Sequence, residues 1–422
     1  MLDYGYYPNN RVHHIVEQFK GKFDEVMVFY KKVYVRGEYS FVDQLKVFLS
    51  FEIKSSHRAN VTSIEIDPFF NHIEGLGLNT LGIESPYTEV SSSILSFVKK
   101  ALSNIGLICD FAIVPSFLLS YILRVKGKID VFIGQGPWEV AAGYILKKIG
   151  MVKVLVYDDF DYAPGYQHAK FRKIIVAFLE KLFMKRSDII ISVGKLLGDL
   201  REKQTGKKVE VIPNGVNYKL FSQAQNKPSH PPTLIYMGFV WDWSGVDLVL
   251  EALPMIKEKC PEIRFVVVGH ITPGYSSYIK DISNKLKLGN SFVYLGNKNY
   301  VELVDYLRQA DIGMALFRPV ELRKYAFSLK VIEYMAAGIP VIATKGTQSG
   351  VIVETHKSGE AIGFNIDELA SSICSMLIDK EKYQRYSENS KICSSRYDWE
   401  VLMNRKYELI KTFYYRGNVG NS

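Results

Sequence analysis

The chain has 422 residues, too many for one ordinary domain and suited to two of about 200 residues each. Hydrophobic residues at 47% and charged residues at 23% let both halves bury a core, and the formal charge of +9 suits anionic ligands or an anionic membrane surface without pointing to nucleic acid. Of the four cysteines, Cys109, Cys260, Cys374 and Cys393, none lies in a Cys-x-x-Cys pair, which argues against zinc and redox motifs and for a reducing compartment.

Met1-Leu2-Asp3-Tyr4 leads straight into polar residues, so no signal peptide is expected there. "DYGYYPNNR" (3–11) reads as the loop after a first strand that is mostly absent. His13 and His14 follow at a helix start, and since neighbouring helix positions point apart they make a poor metal pair. "EVMVFY" (25–30) is the first strand-like run. "FAIVPSFLLSYILRV" (111–125) is the most apolar stretch, short for a bilayer and interrupted by Pro115. It reads as a core helix, with a membrane-surface helix as the alternative.

Strand runs "VFIG" (131–134), "KVLVYDD" (153–159), "DIIISV" (188–193) and "VEVIP" (209–213) then alternate with helical runs at 140–150 and 172–187, the pattern of a parallel, doubly wound sheet. "GQGPWE" (134–139) lacks the third glycine of a dinucleotide fingerprint and reads as a strand-end loop. "YDDFD" sets Asp158, Asp159 and Asp161 just past a strand end, where acids either orient hydroxyls and act as a base or cap a turn. "SQAQNKPSHPP" (222–232) is a polar, proline-rich linker.

After it the alternation restarts, with strands "TLIYMG" (233–238), "RFVVVG" (264–269), "FVYLG" (292–296), "DIGMAL" (311–316) and "PVIAT" (340–344). Three of these end in glycine, which lets a ligand approach the backbone. Trp241 and Trp243 either pack or offer a stacking face. "SLKVIEYMAAG" (328–338) reads as a helix opening at a small serine and stopping at Gly338. Its N-terminus suits phosphate. Glu333, lying beyond the first turn, is either an ion-pair partner of Lys330 or a two-oxygen acceptor for a ribose. No Walker loop and no nucleophile elbow occurs.

Several stretches, taken in order, resemble the family 4 glycosyltransferases, retaining enzymes of the GT-B fold: "VIPNGVNYKLF" (211–221), "LIYMGFVWDWSGVDLVLEAL" (234–253), "FVVVGH" (265–270), "FVYLGNKNYVELVDYLRQADIGMAL" (292–316) and "SLKVIEYMAAGIPVIAT" (328–344). The resemblance implies an α/β protein of two Rossmann-like domains facing a central cleft. On this reading residues 1–221 bind an acceptor, 222–232 link, 233–395 bind a nucleotide sugar, and 396–422 form a helix returning to the first domain.

Glu333 is then expected on the ribose, with Ser328, Leu329, Gly238, Phe239, Tyr325 and Ser244 as the other donor contacts. The family's arginine after the glycine is Phe239 here, the lysine a few residues on is replaced in "WDWSG" by Ser244, and its first glutamate is Tyr325. Lys330 is expected to neutralise the leaving diphosphate, and Arg318, Arg323 and Lys324 either help or form a solvated loop. Asp158 and Asp161 are the other candidate catalytic residues, and Arg11, Gly136 and Glu139 the acceptor contacts.

The expected reaction moves a sugar from a nucleoside-diphosphate sugar to a glycan or lipid-linked hydroxyl, with no cofactor and no metal. It is expected in the cytoplasm or at the cytoplasmic face of a membrane. The alternatives are a non-catalytic nucleotide-sugar-binding subunit and a nucleotide-sugar epimerase on the same fold.

Overall fold

The computed structural model describes residues 11–19, 22, 26–31, 53–58, 61–66, 128–167, 169–225 and 230–419. The apolar stretch 111–125 and the loop before Arg11 lie outside these residues. The described residues form two compact units. One takes in those up to Asp158, Phe178–Ile190 and those from Lys406 on; the other comprises Asp159–Ala177 and Ile191–Arg405.

In the first unit α1 (Arg11–Phe19) precedes β1 (Val26–Lys31), β2 (Ile53–Arg58) and β3 (Val61–Ile66). These strands form a sheet in the order β1-β3-β2, with β1 parallel and β2 antiparallel to β3. The antiparallel pair departs from the purely parallel pattern that the sequence predicts. β4 (Ile129–Gly134) pairs in parallel with β5 (Val152–Asp159), joined by α2 (Pro137–Lys148). α3 (Lys170–Arg186), divided between the units at Phe178, and β6 (Ile189–Ser192), divided at Ile191, follow.

The second unit continues with α4 (Lys195–Thr205), β7 (Glu210–Val211) and α5 (Tyr218–Phe221). Its main sheet has six strands, β8 (Thr233–Met237), β9 (Arg264–Val268), β10 (Phe292–Tyr294), β11 (Ile312–Ala315), β12 (Val341–Thr344) and β13 (Gly359–Ile362). The order is β10-β9-β8-β11-β12-β13, all parallel. The connecting helices are α6 (Val246–Lys259), α7 (Pro273–Lys285), α8 (Leu303–Leu307), α9 (Glu321–Tyr325), α10 (Leu329–Ala336), α11 (Gln348–His356) and α12 (Ile366–Ile378). α13 (Lys380–Ser394) and α14 (Trp399–Val419) close the chain, α14 being divided between the units at Lys406.

Period-two alternation places this sheet between two apolar layers. Leu234 and Tyr236 of β8 join the core built with α6 and α12, while Ile235 and Met237 join the one built with α10 and α11. The chain leaves β8 in one direction and resumes at β11 in the other, so the ends of β8 and β11 flank the switch point where ligands of such sheets bind. None of the described helices is long and apolar enough to cross a membrane.

Candidate functional site

Two glycines build the floor at that switch point. Gly238 leaves β8 at φ +114° and Gly269 leaves β9 at φ +136°, conformations that side chains rarely adopt. A Cβ on Gly269 would stand 2.0 Å from the Gly238 carbonyl oxygen, so the two strand ends touch through bare backbone. A Cβ on Gly238 would meet only Lys330, 3.6 Å from its Nζ.

Helix α10 is held over this floor from beneath. A Cβ on Gly313 of β11 would stand 2.3 Å from the Tyr334 ring, so glycine leaves room for that ring, and the Tyr334 hydroxyl accepts a hydrogen bond from the Met237 N–H at 2.9 Å. The helix ends as its sequence predicts: Gly338 takes φ +71°, with Ile339 N–H donating to Tyr334 O and Gly338 N–H to Met335 O, both at 2.9 Å. Its start has no side-chain cap. Ser328 is buried, and among the described residues no side chain accepts from the electropositive first turn.

The charges at this end fall into two kinds. Lys330 Nζ sits 3.6 Å over the Tyr236 ring and 5.7 Å from that of Phe317, with no hydrogen bond or ion pair among the described residues. Burial pulls its pKa down to about 7, against the Glu333 carboxylate that raises it and with the Arg323 charge that lowers it further. Glu333 is 7% exposed and accepts from the Tyr300 hydroxyl at 3.2 Å. Arg323 lies 3.4 Å over the Trp243 ring, with its Nε buried and without a hydrogen-bond partner among the described residues. Arg318, by contrast, is committed: it pairs with Asp247 and donates to the Asp242 carbonyl at 2.6 Å. Lys324 is exposed.

Other expected residues take different positions. Ser244 is fully buried and donates to the Trp241 carbonyl at 2.6 Å, so it tightens its own turn instead of facing a donor. Phe239 is exposed and meets the His270 ring edge-on at 6.0 Å. Tyr325 packs on Tyr162 at 5.0 Å. Asp161 accepts from the Tyr162 N–H and the Tyr166 hydroxyl, the turn-capping alternative.

In the first unit Asp158 has no open face. It is fully buried, accepts from Arg11 Nε at 3.1 Å and Nη2 at 2.9 Å, and accepts from Lys406 Nζ at 2.6 Å. Burial alone would raise its pKa, but the Arg11 and Lys406 charges hold it far below the usual carboxylate range. Arg11 and Asp158, expected as an acceptor contact and a catalytic acid, are thus partners in a buried ion triad; their charges are spent on each other. Gly136 precedes α2, and a Cβ there would stand 2.8 Å from the Glu139 carboxylate, which lies back over its own helix start. Tyr300, Tyr334 and Lys406 were missed, because nothing local in sequence marks an aromatic or a lysine for a partner tens of residues away.

Residues 217–392 match the family described as glycosyl transferases group 1. Among curated relatives, the putative teichuronic acid biosynthesis glycosyltransferase TuaH of Bacillus subtilis is 26% identical over 245 residues, 56% of this chain and 59% of that protein. Phosphatidyl-myo-inositol mannosyltransferase of Mycobacterium tuberculosis is 23% identical over 231 residues, 53% of this chain and 59% of that protein. The chain therefore spans 59% of the length of these relatives. Among solved structures, sucrose-phosphate synthase of Thermosynechococcus elongatus aligns with TM-score 0.66 at 18% identity, covering 97% of this chain and 93% of that one. The Anabaena protein HepE in complex with UDP and glucose aligns with TM-score 0.61 at 16% identity, covering 97% of each chain. The shared architecture is the GT-B fold.

Proposed function

We propose that this chain is a retaining glycosyltransferase that moves a sugar from a nucleoside-diphosphate sugar to a hydroxyl of a glycan or lipid-linked acceptor. The observation that carries the reading is Lys330: an ammonium with no hydrogen bond or ion pair among the described residues, beside the bare backbone of Gly238, at the switch point of the six-stranded sheet. One turn away Glu333 offers two oxygens, suited to two neighbouring ribose hydroxyls, and Tyr300 holds it. The uncapped start of α10 adds partial positive charge for phosphate. The matched family and the glycosyltransferase names of the relatives support the reaction class, and the UDP carried by HepE supports the donor class.

In this reading the bond between the sugar's anomeric carbon and the diphosphate oxygen breaks as the acceptor oxygen attacks from the same face. The departing phosphate oxygen takes the acceptor's proton, so no histidine base is needed. Lys330 stabilises the charge that develops there, and we assign that task to protein cations with no metal. For the acceptor we favour a site reached at the cytoplasmic face of a membrane. The net charge of +9 and the exposed Phe171, Ile174 and Ile175 of α3 support that preference.

A thermal-shift panel of UDP, GDP and ADP sugars tests the reading, since a ligand of the native state raises the melting temperature. One of them should stabilise the protein, and Glu333→Gln should reduce both that shift and turnover. An undiminished response in the variant would remove Glu333 from the site. The second reading, a subunit that binds nucleotide without turnover, is motivated by Phe239, Ser244 and Tyr325 in place of the family's arginine, lysine and first acid. Transfer of sugar by the purified chain alone would eliminate it.

A further inference from the structure

We propose that Arg323, carried on the short helix α9, is the second cation of the donor site and binds the phosphate farther from the ribose. The inference rests on the donor reading above and adds to it one residue and one phosphate. Three rings form a bracket: Lys330 lies over Tyr236 and beside Phe317, Phe317 meets Trp243 at 5.9 Å, and Arg323 stacks on Trp243 at 3.4 Å. Stacking immobilises the guanidinium plane and leaves its edge donors for an oxygen ligand, the geometry that suits phosphate.

Packing alone does not account for the arrangement. The buried Arg323 Nε has no acceptor among the described residues, and a buried donor left so carries a desolvation cost that a ligand oxygen would remove. The acidic neighbours that act on Arg323 are Asp161 and the Tyr166 and Tyr236 hydroxyls, and none accepts a hydrogen bond from it. Asp161 already accepts from Tyr162 and Tyr166, and Tyr236 donates to the Phe239 carbonyl. The order of groups also fits. Glu333 lies one turn along α10 from Lys330, and the rings of Phe317 and Trp243 lead from Lys330 to Arg323 on its other side. Ribose, near phosphate and far phosphate follow one another in the same sequence.

The test is calorimetric titration of the full chain with UDP, GDP and ADP and with UMP, GMP and AMP. Wild type should prefer one diphosphate over its monophosphate. Arg323→Gln should weaken that diphosphate by about ten- to a hundredfold while leaving the monophosphate within about twofold. Arg323→Lys, which keeps the charge but loses the fork, should recover part of the loss, and Lys324→Gln should change neither. Unchanged diphosphate affinity in Arg323→Gln, or equal weakening of both ligands, would overturn the assignment while leaving the donor site in place. Failure of the wild type to bind any of the six would overturn both. If Arg323→Gln does not fold, Arg323→Lys carries the same comparison, and an unaltered preference there would count against the role.

Discussion

At the scale of single residues, Lys330 gives the sharpest prediction because its charge is marginal at neutral pH. Its folded pKa is about 7, below the ordinary lysine range, with Glu333, Arg323 and Tyr236 as the charged or titratable groups facing it. From there up to the ordinary range the unfolded chain binds more protons than the folded one, so this residue makes stability rise with pH in that window. A diphosphate needs the ammonium, so its affinity should fall as pH rises from about 6.5 to about 9, with a proton taken up on binding. Lys330→Gln should flatten both trends beyond the ligand's own titration, as read by melting curves and calorimetry in buffers of different ionisation enthalpy. The sequence made Lys330 visible by its position in a helix's first turn. It did not distinguish Arg318 from Arg323, because the pairing of Arg318 with Asp247 spans 71 positions.

At the scale of elements, the site depends on how α10 is fastened to β8. The local part was legible: Ser328 starts the helix and Gly338 stops it, both through backbone conformations set within a few residues. The fastening itself was not. It depends on Tyr334 filling the space that Gly313 leaves and accepting from Met237, residues of three different elements. Tyr334→Phe keeps the ring but strands the buried Met237 N–H, which should cost about 1–3 kcal/mol in urea denaturation. Because the lost contact also positions Lys330 and Glu333, nucleotide affinity should drop in parallel. A stability loss with unchanged affinity would mean that the helix holds its place by packing alone.

At the scale of the whole molecule, the triad of Arg11, Asp158 and Lys406 joins the first described helix, the end of β5 and the last helix within one unit. Asp158→Asn would leave two cations buried without their counter-charge, and should destabilise the protein by about 3–5 kcal/mol, measured by chemical denaturation. Since the Asp158 pKa is depressed in the fold, its contribution is complete above the ordinary carboxylate range and is lost as pH falls through its folded value. Acid melting curves should therefore be shallower in the variant than in the wild type.

Neighbours along the chain set what is local: the alternation of strands and helices, the glycines at strand ends and the span of α10. Only the tertiary structure decided which charges are spent and which are open. Arg11 and Lys406, 147 and 248 positions from Asp158, both bind its carboxylate, whereas Lys330 and Arg323 are left resting on aromatic rings. A charge's partner is chosen by distance in space after the layers have packed, and no local pattern encodes that distance.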